Sequence, residues 1–273
     1  MSCYLCHSED YELVPGKIRD NSSLYMKRSA HCGLVYISDK SHITEDFYKE
    51  SNMIDGESRE NPTKWEKINK NDTLRRIRTF KNNIVNKRIL DVGCGAGGFI
   101  KRALAYAEKC SAVEVDLSLI KHLRKNIKGV EFYDSISSVP KVEKFDYIFL
   151  FHVLEHLPDP VAYINYLFGL LECGGSIIIE VPNADDALCS LYDCKEFKDF
   201  FYWSCHLYYF DHNTLAKLAS KTDLNLEYIK QVQRYPLSNH LYWLKEGKPG
   251  GHTKLSFLDT DMLNSEYEKS LAS

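Results

Sequence analysis

One segment constrains this chain more than any other: Ile89-Leu90-Asp91-Val92-Gly93-Cys94-Gly95-Ala96-Gly97-Gly98-Phe99. A short, mostly apolar run leads into a tight cluster of glycines, and an apolar residue stands directly after them. The first part reads as a buried strand and the last as the start of a helix, joined by a turn whose backbone angles favour glycine. A strand–glycine–helix junction turns backbone N–H groups toward the carboxyl end of a strand, where α/β proteins take up small ligands.

The surrounding residues repeat this alternation. Residues 88–92, 112–115, 130–133, 145–151 and 176–181 read as strands. Helices are predicted over 99–107, over 118–126 with Ser118 as cap, and over 160–171 with Asp159 as cap and Pro160 in the first turn. Trp65, Ile68, Leu74, Ile77, Phe80 and Ile84 recur at helical spacing over 65–85, and Arg75, Arg76 and Arg78 read as its solvated face. After an aromatic-rich insertion at 183–210, a helix over 214–220 and a strand over 224–232 resume the pattern. The expected fold class is α/β: a doubly wound, mostly parallel Rossmann-like sheet of six or seven strands with helices on both faces.

Residues 1–42 differ in character and read as a small cysteine-containing module with too few apolar residues to hold itself together unaided. A polar connector at 43–64, a main domain at 65–234 and a cap or subunit-contact segment at 235–273 complete the expected organisation. A net charge of −3 argues against a binder that relies on neutralising phosphates, so no nucleic-acid partner is expected. No apolar stretch approaches a membrane span, and the amino terminus lacks a basic region followed by an apolar core. The nine cysteines are odd in number and scattered, which points to a reducing, cytoplasmic setting where clustered cysteines bind metal.

Taken as glycines alone, Gly93, Gly95 and Gly98 also fit a dinucleotide fingerprint. Asp91 argues against it, because a carboxylate there would face a pyrophosphate drawn to the positive helix end. No Gly-Lys-Ser/Thr comes after the loop, which removes a nucleotide-triphosphate site. Asp116, 19 residues beyond Gly97, is placed to accept hydrogen bonds from a ribose, or else to cap the following helix. Asp134 and Ser135 come after the third strand and read either as a contact to a nucleobase amino group or as turn formers.

With these residues in place, 65–232 resembles a class I S-adenosylmethionine-dependent methyltransferase. The resemblance rests on Leu90 to Gly97, Val113-Glu114-Val115-Asp116, Phe145-Asp146-Tyr147-Ile148, Val153-Leu154-Glu155-His156-Leu157-Pro158-Asp159-Pro160 and Gly174-Gly175. It implies S-adenosylmethionine as cofactor, with Asp91, Gly93, Cys94 and Gly95 along the methionine end and Asp116 and Leu117 at the ribose. It also implies Asp134, Ser135 and Ile136 near the adenine, and Phe151 and His152 beside the sulfonium.

Over nearly its whole length the chain resembles a subgroup that acts on sugars and carries an amino-terminal zinc-binding module, C-x-x-C…C-x-x-C-G-L-V. Cys3, Cys6 and Cys32 match as metal ligands, whereas Ser29 stands where the third cysteine belongs, and His7 and His31 are nearby alternatives. The implied reaction is in-line methyl transfer to a sugar hydroxyl; another small-molecule acceptor, or a non-catalytic binder of the cofactor, are the competing readings. A hydroxyl acceptor calls for a base. His206 in the aromatic insertion is the first candidate and His156 the second, because imidazole titrates near neutrality.

Overall fold

The computed structural model describes residues 2–44, 47–48 and 61–272, so positions 45–46 and 49–60 of the expected connector lie outside the described residues. The chain forms two compact units, Met1–Lys40 with Pro182–Ser273, and Ser41–Val181. The first unit begins with three short antiparallel strands, β1 (Tyr11–Leu13), β2 (Met26–Ser29) and β3 (Val35–Ile37).

The second unit is built on a five-stranded sheet in which every pairing is parallel. Its order is β6–β5–β4–β7–β8, formed by β4 (Arg88–Val92), β5 (Lys109–Val113), β6 (Val130–Tyr133), β7 (Phe145–Phe151) and β8 (Leu171–Glu180). The first connection leads away from β4 to one edge and the chain then returns to β7 on the other side. That reversal falls between β4 and β7, the point at which open α/β sheets take up ligands at the strand carboxyl ends. Helices α1 (Pro62–Ile68), α2 (Lys70–Phe80), α3 (Gly98–Ala103), α4 (Leu117–Asn126) and α5 (Pro160–Phe168) accompany the sheet. Its core joins Ile77 and Ile84 to Ile89, Phe99, Ile100, Ala112, Ile120, Phe149 and Phe151, all buried. Burying a large apolar side chain contributes about 1.5–3 kcal/mol, so this cluster is a substantial source of the unit's stability.

Two expectations about the helices are corrected. The helix over 65–85 is two helices that meet at Asn69, whose side chain donates to the Trp65 carbonyl and competes with the backbone ladder. The cap of α4 is Asp116 rather than Ser118, because the Asp116 carboxylate accepts from the N–H groups of both Ser118 and Leu119.

The first unit continues with α6 (Ala187–Ser190), α7 (Lys195–Phe201), β9 (Tyr208–Tyr209), α8 (His212–Ala219), α9 (Leu237–Glu246), α10 (Gly251–Lys254) and α11 (Asp261–Ala272). Strand β9 pairs with β3 and completes a four-stranded antiparallel sheet. Most of the aromatic insertion packs on itself: Tyr202, Tyr208, Tyr209 and Phe210 are buried, and Phe197 meets Trp243 of α9 at 5.2 Å between ring centroids.

The strand expected over 224–232 does not form, so five parallel strands stand among the described residues instead of six or seven. Leu226, Tyr228 and Val232 are exposed: the alternation is present, but no strand is paired with it. No described helix is long and apolar enough to cross a membrane.

Candidate cofactor site at the glycine turn

The glycine segment forms the expected strand-to-helix turn. Gly93 and Gly95 take φ of +69° and +55°, a region that disfavours side chains. A Cβ at Gly93 would lie 2.5 Å from Val153, and one at Gly95 would lie 2.7 Å from the Trp65 ring. The turn is fastened to β5, because the N–H groups of Gly93 and Cys94 both donate to the Val113 carbonyl, at 2.8 and 3.1 Å.

A carboxylate to which the sequence alone assigns no role completes the fastening. Glu114 accepts from the Gly95 N–H at 2.8 Å with one oxygen and from the Asp116 N–H at 2.9 Å with the other. Burial pushes the Glu114 carboxyl up, partly countered by these two N–H groups. A signal for it is present in the sequence: an acidic residue among apolar ones at a strand end must find a partner when buried.

Asp116 is 2% exposed and divides its work between two oxygens. Oδ1 accepts from the Ser118 N–H, the Ser118 hydroxyl and the Leu119 N–H, at 2.7, 2.6 and 2.9 Å. Oδ2 is buried and has no hydrogen-bond partner. Cap and ligand contact are thus compatible, one oxygen each. Leu117 beside it is exposed, an apolar face at the mouth of the sheet. Asp91 is buried on β4, and desolvation raises its carboxyl to about 7, with Arg76 pulling it down and Glu114 pushing it further up. After β6, Asp134 is exposed and accepts from the Ser138 hydroxyl at 2.8 Å, Ser135 bonds to Ser137 and Ser138, and Ile136 opens a 3₁₀ turn.

At the end of β7, Phe151 is buried against Phe99, and His152 takes a left-handed φ of +58°, costly for a residue with a side chain. Its ring lies 3.3 Å from the fully buried Glu155 and 3.4 Å from Glu180 at the end of β8. Glu180 also binds Arg75 and Arg76, each at 2.7 Å, and both arginines pair with Asp72. Burial opposes the Glu180 charge, but His152 and Arg76 outweigh it and hold its carboxyl well below the usual carboxylate range. The expected solvated arginine face is therefore corrected for Arg75 and Arg76, which are drawn in by two carboxylates, while Arg78 stays exposed. His156 is buried in the following 3₁₀ turn, its carbonyl bonded by the Tyr48 hydroxyl at 3.0 Å and its ring edge-on to the Tyr48 ring.

In the first unit, the sulfurs of Cys3, Cys6 and Cys32 lie within 4.8 Å of one another. Burial raises the Cys3 thiol to about 11; burial also acts on Cys6, but the Ser29 hydroxyl and Ser8 backbone outweigh it and lower that thiol to about 7. His7 and His31 are exposed and stand outside the cluster. His206 bonds the Tyr209 hydroxyl through Nδ1 at 3.0 Å.

The family described as "Methyltransferase domain" matches residues 66–229, and the chain belongs to that family. A stretch of 116 residues is 30% identical to the ubiquinone biosynthesis O-methyltransferase of Xanthomonas euvesicatoria, covering 40% of this chain and 48% of that one. Another, of 123 residues, is 31% identical to the tRNA U34 carboxymethyltransferase of Dichelobacter nodosus, covering 42% of this chain and 38% of that one. The chain thus spans less than half the length of these relatives. Among solved structures it is similar to the N-methyltransferase NodS from Bradyrhizobium japonicum, bound to S-adenosyl-L-homocysteine. That likeness has a TM-score of 0.39 and 19% identity, over 53% of this chain and 74% of that one.

Proposed function

We propose that the protein transfers the methyl group of S-adenosylmethionine to a hydroxyl of a small acceptor, in the form of a sugar hydroxyl. The observation that carries the cofactor reading is the unpartnered Oδ2 of Asp116, buried at the end of β5 beside a turn tight enough to exclude side chains. An orphaned buried carboxylate oxygen costs free energy until a donor reaches it, and a ribose hydroxyl is such a donor. Asp91 takes the ammonium end, Leu117 and Ile136 offer apolar contacts to the nucleoside, and Phe151 and His152 wall the sulfonium.

When bound, the cofactor supplies an electrophilic methyl on sulfur. The chain's own residues then align the acceptor with it, keep water out and remove the acceptor proton. His206 is assigned the base role ahead of His156, whose buried, turn-bound position favours a structural role. Tyr192 is 37% exposed and offers an aromatic face for a sugar ring, whereas the Phe200 ring lies under the Arg19 guanidinium and against Trp243. The ubiquinone relative is named for O-methylation, which supports an oxygen acceptor. The tRNA relative leaves the charge-based exclusion of nucleic acid without support.

We also assign zinc to Cys3, Cys6 and Cys32. Tetrahedral zinc at about 2.3 Å from each sulfur sets sulfurs about 3.8 Å apart, and the Cys3 and Cys32 sulfurs lie 3.4 Å apart.

Calorimetry with S-adenosylmethionine, followed by methyl transfer over a panel of nucleotide-linked sugars, tests the reading. Binding and turnover on sugars are expected. Transfer only to non-sugar acceptors removes the sugar assignment, binding without any turnover marks a non-catalytic binder, and failure to bind removes the whole reading.

A further inference from the structure

The two turns that carry the cysteines repeat each other bond for bond. In the first, the N–H groups of Leu5 and Cys6 face the Cys3 sulfur, and the His7 N–H donates to the Cys3 carbonyl at 2.9 Å. In the second, the N–H groups of His31 and Cys32 donate to the Ser29 hydroxyl at 3.3 Å, and the Gly33 N–H donates to the Ser29 carbonyl at 3.0 Å. Each turn then passes through a positive φ at the equivalent position, +60° at His7 and +86° at Gly33. Ser29 is therefore the counterpart of Cys3, and Cys32 the counterpart of Cys6. The pairs also cross: Cys3 meets Cys32 at 3.4 Å between sulfurs, and Cys6 meets the Ser29 Oγ at 3.2 Å.

We propose that Ser29 marks the fourth corner of this cluster, so that zinc bound by Cys3, Cys6 and Cys32 keeps one exchangeable coordination position for a neutral oxygen or nitrogen donor. The inference rests on the zinc assignment above. A neutral serine hydroxyl is a far weaker ligand than a thiolate, and structural zinc closes its fourth position with a strong ligand whereas an open site leaves it to water. Three thiolates on a divalent ion already carry a net charge of minus one, so a neutral donor adds no further repulsion. The geometry also leaves that corner reachable. Cys3, Cys32 and Ser29 are buried, but Cys6, directly beside the Ser29 hydroxyl, is partly exposed.

Cobalt(II) replaces zinc in such sites and reports its ligands optically. The full chain, loaded with cobalt, is expected to show charge-transfer absorption of three thiolates and visible bands that shift saturably when imidazole is added. Ser29→Cys should add a fourth thiolate to that absorption, abolish the response to imidazole and hold zinc on the order of 10–100-fold more tightly against a chelator. Ser29→Ala should keep three thiolates and the imidazole response, which guards against a cysteine variant that fails to fold. Wild-type bands that ignore imidazole overturn the open position while the zinc assignment stands. A cobalt spectrum with four strong protein ligands in the wild type does the same. A native chain that takes up neither zinc nor cobalt overturns both.

Discussion

Glu114 holds Gly95 by a hydrogen bond of 2.8 Å from the glycine N–H to the carboxylate. Its second oxygen accepts the Asp116 N–H, so one side chain spans the glycine turn and the Asp116 corner. Removing it as Glu114→Ala leaves two buried N–H groups without acceptors, at about 1–3 kcal/mol each. The expected result is a loss of about 2–6 kcal/mol in urea denaturation together with weaker cofactor binding by calorimetry. Glu114→Gln keeps one acceptor oxygen and should fall between the two. A fully stable alanine variant with unchanged affinity would mean the turn holds its shape without this brace.

Asp116 lets the helix cap, made by Oδ1, be tested separately from the ligand contact proposed for Oδ2. In Asp116→Asn the amide oxygen can serve the Ser118 and Leu119 N–H groups, and the amide nitrogen then faces where Oδ2 stood. Stability should change little, whereas cofactor affinity should drop by about 1.5–3 kcal/mol, the scale for losing a charged acceptor. Asp116→Ala should add a further stability loss of about 1 kcal/mol from the missing cap. Equal affinity of the asparagine variant and the wild type would remove the ribose assignment.

Asp91 makes a prediction about pH. Its folded-state value of about 7 lies above the ordinary carboxylate value of 3.8. The folded chain therefore binds this proton more tightly than the unfolded chain, and its contribution is fully present below about pH 4 and lost as pH rises through 7. Without cofactor, Asp91→Asn should be the more stable protein at pH 8, by about 2–4 kcal/mol, and the difference should vanish near pH 4. Its cofactor affinity should move the opposite way, because the ammonium end loses its carboxylate. Denaturation curves at the two pH values check the sign, and an asparagine variant less stable at pH 8 contradicts it.

The legible and illegible parts of the sequence reflect the range of the forces involved. Strands β4, β6 and β7 coincide with the expected spans because residues such as Ile89, Phe132 and Phe149 form compact apolar runs between turn signals. The start of α5 is equally local: Asp159 accepts the Ala162 N–H at 3.1 Å, and Pro160 has no N–H to lose. Arg75 gives no such signal, since its partner Glu180 lies 105 residues away. Residues 224–232 carry a strand's alternation, but pairing is decided by a neighbour, not by the segment. Asp116 and Ser118 are both good caps by type, and only the backbone trace decides between them. The sequence signals that Glu114 needs a partner, but which N–H groups it holds is visible only with the turn it braces.

His206 is fixed in one tautomer by its neighbours. The Tyr209 hydroxyl donates its single hydrogen to the Phe201 carbonyl at 3.0 Å and accepts the Trp203 N–H at 3.0 Å. The contact to His206 Nδ1, also 3.0 Å, must therefore use a hydrogen on the imidazole. Neutral His206 then carries its proton on Nδ1 and its basic lone pair on Nε2, the arrangement a general base requires. His206→Ala should lower turnover about 10²–10⁴-fold and leave cofactor affinity nearly unchanged. Tyr209→Phe keeps the ring but removes the acceptor that selects the tautomer, and should lower turnover by a smaller factor with the same cofactor affinity. Normal turnover in His206→Ala eliminates it as the base, and loss of cofactor affinity in that variant assigns it a structural role instead.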